Sequence, residues 1–170
     1  MENENYIMLN GKKIPLTDEQ IKLIQSDAPE KSPFDRADEG ETYYFVDYQF
    51  DVERSNEFKT PVDDYTYSSA NYCTDEAIIR QHALHMLLNN LLWRYSMTHG
   101  GDSIDWDYNT KTKFYIYYNT ITDEFVCDDY NTLKYVGAVP FTDEETAKAA
   151  IEEIVKPFIA EHPDFDLTKM

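Results

Sequence analysis

Between residues 74 and 98 the apolar side chains Leu84, Leu87, Leu88, Leu91, Leu92 and Tyr95 recur every three or four positions. That spacing lines them along one face of an α-helix. Met86 and Trp93 are expected to widen the stripe. Thr74 precedes the run as an N-cap, and Asp75 and Glu76 put negative charge at the positive end of the helix dipole. Gly100 and Gly101 end it. A helix with so broad an apolar stripe must be covered, so the rest of the chain is arranged around it.

The covering elements are strands. Residues 42–50 place Tyr44, Val46, Tyr48 and Phe50 on one face of a strand, with Tyr43 and Phe45 on the other before Asp47 and Gln49. Residues 51–70 are charged and interrupted by Pro61, and predict a loop or a weak second strand around Tyr65 to Tyr67. Residues 113–118, 123–127 and 133–141 read as three strands joined by polar turns. Thr142-Asp143-Glu144-Glu145 has the form of a capping box, opening a helix with Ala147, Ala150, Ile151, Ile154 and Val155 on one side. Pro157 is expected to kink or end it, with a final turn running to about Glu161. The expected fold class is α+β, an antiparallel sheet of about four strands with two main helices packed on one face.

Ahead of this domain, Asn10-Gly11 sits between two short apolar runs, the strongest local signal for a two-residue hairpin. Thr17 and Gln20 are spaced as a capping box for a short helix. Pro29, Pro33 and Gly40 then interrupt a charged, apolar-poor stretch. The expected division is a hairpin-helix appendage at 1–26, a linker at 27–41 and the main domain at 42–170.

Charge decides what such a fold can meet. Asp and Glu number 33 against 15 Lys and Arg, a formal net charge of -18, yet 42% of the 170 residues are hydrophobic and 15% aromatic. A disordered acidic tail lacks that apolar content. The charge is therefore expected on the surface of a folded protein, where it repels nucleic acid and membranes and attracts basic partners. Cys73 and Cys127 are too few for a disulfide framework and predict buried free thiols in a reducing, cytoplasmic setting. The acidic residues 1–5 lack the basic and apolar regions of a secretory signal.

Catalytic patterns fail one by one. Asp105-Trp106-Asp107-Tyr108-Asn109 begins like a calcium loop, but Thr110 and Ile116 stand where Gly and Glu are required. His82 and His85 lack the further ligands of a zinc site, and Cys73 and His99 stand near opposite ends of the long helix. Ser96 and Ser103 have no nucleophile elbow, and the five glycines form no phosphate loop. The expectation is a non-enzymatic protein without cofactor or metal. A small hydrolase is the weaker reading.

What remains are carboxylates. Asp51 alternates with Glu53, and Asp105 with Asp107, so each pair shares one face of an extended segment. Carboxylates about 6.6 Å apart are suited to Lys and Arg sites that otherwise hold phosphates. Asp47, Asp51, Glu53, Asp63, Asp64, Asp105, Asp107, Asp128 and Asp129 are the candidate partner-binding residues. Tyr48, Tyr65, Tyr108 and Tyr130 stand among the acids as aromatic anchors.

Several segments carry a resemblance: Pro33-Phe34-Asp35-Arg36, Gly40-Glu41-Thr42-Tyr43-Tyr44-Phe45-Val46, Asn71-Tyr72-Cys73-Thr74-Asp75-Glu76-Ala77, Leu92-Trp93-Arg94-Tyr95, and the ending Ala150-Ile151-Glu152-Glu153-Ile154-Val155-Lys156-Pro157-Phe158. Over roughly residues 33–160 the chain resembles small acidic accessory proteins of phages and prophages. Some proteins of that size and acidity are anti-CRISPR or other anti-defence inhibitors. The resemblance implies an inhibitor of a host RNA-guided nuclease, acting in the host cytoplasm on a basic nucleic-acid-binding surface. The alternative is a phage adaptor or regulator of another host protein, with acidity serving solubility alone.

Overall fold

The computed structural model describes residues 6–26, 31–106, 111–130 and 137–167, and divides the chain into two compact units, Met1–Asp35 and Arg36–Met170. In the first, β1 (Tyr6–Leu9) and β2 (Lys12–Pro15) form an antiparallel hairpin, followed by α1 (Asp18–Ser26). Asn10 and Gly11 have φ of 50° and 76°, the left-handed pair that a tight hairpin turn needs. The Gln20 amide N–H donates to Thr17 Oγ1, and the Thr17 N–H donates to Gln20 Oε1, so the capping box closes as expected.

The larger unit contains β3 (Thr42–Val46), β4 (Val52–Asn56), α2 (Pro61–Ser68), α3 (Glu76–Thr98), β5 (Lys113–Asn119), β6 (Glu124–Tyr130), α4 (Glu144–Ala150) and α5 (Lys156–Glu161). The class is α+β with small antiparallel sheets. The expected sheet of about four strands is instead divided, because β3 pairs only with β4 and β5 only with β6 among the described strands. The two hairpins rest mainly on different helices, β3 and β4 against α3 and β5 and β6 against α4. The 23 residues of α3 span about 34 Å, so its start and its end join different core clusters. Val46 and Cys73 pack on Ile79 and Ala83 near its start, with Tyr44, Phe50 and Val52 around them. Leu92 and Tyr95, nearer its end, pack against Phe141, Ala147 and Ala150, a cluster that Phe114, Ile116 and Cys127 of the second hairpin cover as well. The two clusters meet α3 roughly 18 Å apart along its axis.

Other expectations shift. The cap of α3 is Asp75 rather than Thr74, its carboxylate accepting from the N–H groups of Ala77 and Ile78. Met86 and Trp93 are exposed, because with 3.6 residues per turn both fall on the side of the helix opposite the centre of the stripe. Residues 61–68 form α2, not a strand. Of the expected strand at 133–141, residues 133–136 lie outside the described residues, and Phe141 makes one isolated bridge to Phe114. Asp143, not Thr142, caps α4 by accepting from the Thr146 N–H. Between α4 and α5, Ile151–Val155 winds as a π-helix. The wider turn fits Pro157, which has no N–H to offer and whose ring would collide with a carbonyl one turn earlier. Helical structure therefore continues to Glu161. No helix among the described residues is long and apolar enough to cross a membrane.

Candidate functional site

The stretch expected to be a linker divides at Asp35, and its second half is bonded into the larger unit. Arg36 donates from Nε to Glu57 Oε2 and from Nη2 to Glu57 Oε1, both at 2.9 Å, while its Nη1 lies 2.7 Å from Asp64 Oδ1. Glu57 is fully buried. It also accepts from the Tyr72 hydroxyl at 3.1 Å and the Lys59 N–H at 2.7 Å. Tyr72 stacks on Tyr43 at 4.2 Å, and the Tyr43 hydroxyl donates to Asp63 Oδ1 at 2.8 Å. Asp63 Oδ2 accepts from the Thr60 N–H at 2.9 Å and the Phe58 N–H at 3.1 Å. This network ties α2 to the β3–β4 hairpin.

The electrostatics follow the bonds. The Thr60 N–H, then the Tyr43 hydroxyl, hold the Asp63 carboxyl down to about 2. The Arg36 guanidinium keeps Glu57 below the usual carboxylate range despite burial. Burial pushes the Tyr72 phenol up to about 12, and the adjacent Glu57 carboxylate adds to the effect.

The candidate contact acids fall into separate places. Asp63 is only 3% exposed. Its carboxylate completes the capping box of α2 with Thr60, so it is not a surface contact. Asp64 is exposed but paired with Arg36. At the tip of β3–β4, Asp47 accepts from the N–H groups of Gln49 and Asp51 at 2.8 and 2.9 Å, which makes it a turn-former. Asp51 and Glu53 are exposed on either side of the inward Val52. Asp128 and Asp129 are exposed on β6, but as neighbours in a strand they point to opposite faces. Asp105 is half-buried beside a cleft of about 360 Å³ that also receives Lys111 and Lys113. Asp107 and Tyr108 lie outside the described residues.

Among the described residues the candidate acids thus form no single row. One group occupies the β3–β4 tip and another the β5–β6 sheet. Each has an aromatic neighbour: Tyr48 is 88% exposed at the first tip, and half-buried Tyr130 closes β6. On α2, Tyr65 is 75% exposed, with Val62 beside it one turn earlier and Phe58 just ahead of the helix. That aromatic-apolar face was hidden in the sequence behind Pro61. The overlooked signal is Thr60-Pro61-Val62-Asp63, an N-cap with proline at the first helical position and an acid at the third.

The remaining chemical candidates are occupied by packing. Ser96 is buried and donates to the Pro140 carbonyl at 2.5 Å. Cys73 is fully buried and Cys127 half-buried, and burial raises both thiols above their ordinary range. His85 packs edge-on to Phe165, and burial lowers its imidazole. Among the described residues no three His, Cys, Asp or Glu side chains are grouped to hold a metal ion. Compared with known protein families, curated proteins and solved structures, the chain matches none.

Proposed function

We propose that this chain is a phage-encoded, non-enzymatic inhibitor of a host defence nuclease, of the anti-CRISPR kind. It would act in the host cytoplasm by occupying a basic surface that otherwise holds nucleic acid. The observation that carries the reading is the net charge of -18 on a chain whose exposed hairpin acids stand beside aromatics, the exposed Tyr48 and the half-buried Tyr130. Asp51 and Glu53 next to Tyr48 combine charge for long-range attraction with a rigid ring for anchoring. Two separate acidic places suit an extended basic channel better than a single phosphate pocket. The resemblance to acidic phage accessory proteins supplies the choice of partner class.

A second reading is a phage adaptor for another host protein. It is favoured by the exposed Phe58, Val62 and Tyr65, a contact face that needs no basic partner. Capture of partners from host lysate by the full chain, followed by mass spectrometry, separates the two. The first reading expects a basic nucleic-acid-binding protein, released by salt and displaced by duplex DNA. A neutral partner retained in high salt contradicts it.

A further inference from the structure

Beneath the β3–β4 tip lies a cleft of about 260 Å³, floored by Phe50, Val52, Leu84 and Leu87. Its rim carries Asp51, Arg80, His162 and Asp164. Arg80 is turned toward Glu76, with Nη2 to Oε1 at 2.8 Å, so its charge is already matched. The carboxylates of Asp51 and Asp164 have no hydrogen-bond or ion-pair partner among the described residues.

The backbone that carries each carboxylate is held in place. The Asp51 N–H donates to Asp47 Oδ1, and the Asp51 carbonyl accepts from the Asp47 N–H, each at 2.9 Å. Gln81 of α3 holds the other rim, donating to the Asp164 carbonyl at 2.7 Å and accepting from the Asp166 N–H at 2.8 Å. Phe50 has φ of 66°, a left-handed conformation that a bulky residue rarely adopts. A glycine would suit that backbone better. The ring instead packs against Val46, Cys73, Ile79 and Ala83 and closes the floor.

We propose that this cleft receives a long basic side chain, an arginine or lysine projecting from a protein partner. The aliphatic stem lies on Phe50, Leu84 and Leu87, and the cationic head meets Asp51 and Asp164. Long basic side chains carry this combination of apolar body and charged tip, and the two unpartnered carboxylates favour a cationic head group over an acidic or neutral one. Because both rims are held in place, little ordering opposes binding. The inference rests on the reading of the chain as a binder of a basic protein, and assigns one contact within that interface.

The test is a nuclear magnetic resonance titration of the full chain at low salt with the peptide acetyl-Gly-Arg-Gly-amide, using the citrulline peptide as the uncharged isostere. The arginine peptide is expected to give saturable shifts at Gln49, Asp51, Leu84, Leu87 and His162, with a Kd in the millimolar range. The double variant Asp51→Asn/Asp164→Asn should weaken this about tenfold, while Asp102→Asn/Glu145→Gln, exposed acids away from the cleft, leaves it unchanged. No saturable shift overturns the inference, as does equal binding of the citrulline peptide or undiminished binding by the double cleft variant. Should the cleft prove blank while a basic partner is still captured from lysate, the cleft assignment falls and the proposed function stands. The opposite pair of results removes the function and keeps the pocket.

Discussion

The hairpin of β1 and β2 and the hairpin of β3 and β4 are the same device in two different situations. In the first, Tyr6, Ile7, Met8, Leu9 and Ile14 are all exposed, so its shape rests on the Asn10-Gly11 turn and its own ladder. In the second, Tyr43 and Val46 are buried, and the tip closes on Asp47 carboxylate bonds with a strained Phe50 where a glycine would be easier. The first unit follows local rules, as expected for a segment of 35 residues that is too small for an adequate core of its own. The second breaks a local rule at the site where packing and an open cleft repay it.

The largest expected effect breaks this contrast from the packed side. Arg36→Met leaves Glu57 buried without its countercharge, and should lower the Tm of the larger unit by roughly 5–10 °C. Amide signals of β1 and β2 should remain in place in the same sample. A second effect is pH-dependent. The Asp63 carboxyl sits at about 2 in the folded protein against its ordinary 3.8, so the stability it contributes is full above the ordinary value. That contribution is lost as pH falls from 3.8 toward 2. Acid titration followed by circular dichroism should show this slope, and Asp63→Asn should flatten it while lowering stability at neutral pH. The smallest effect sharpens the local side. Thr17→Ala removes the cap of α1 and should cost that helix about 1 kcal/mol. Hydrogen exchange should speed up over α1 with the Tm of the larger unit unchanged.

The same contrast explains what could be read from the sequence. The turn at Asn10-Gly11, the capping box of α1 and the leucine stripe of α3 are encoded within a few residues of one another, and each forms where its pattern stands. The division into separate hairpins was not legible, because alternation tells which face of a strand is buried but not which strand lies beside it. Helix α2 was missed because Pro61 reads as a breaker when its place at the first helical position is overlooked. The Arg36–Glu57 pair joins residues 21 apart with no local mark on either. Asp63 was expected at the surface for its charge, yet its spacing from Thr60 already identifies it as a capping partner.

What the acids do for a partner is the central claim, and Asp63 is excluded from its test because it holds the fold together. The most direct measurement is inhibition of the nuclease captured from host lysate, comparing the native chain with Asp51→Lys/Glu53→Lys/Asp128→Lys/Asp129→Lys. All four side chains are exposed, so the variant should keep the native circular dichroism spectrum and Tm. The account predicts that inhibition is abolished. Undiminished inhibition by the folded variant would contradict it.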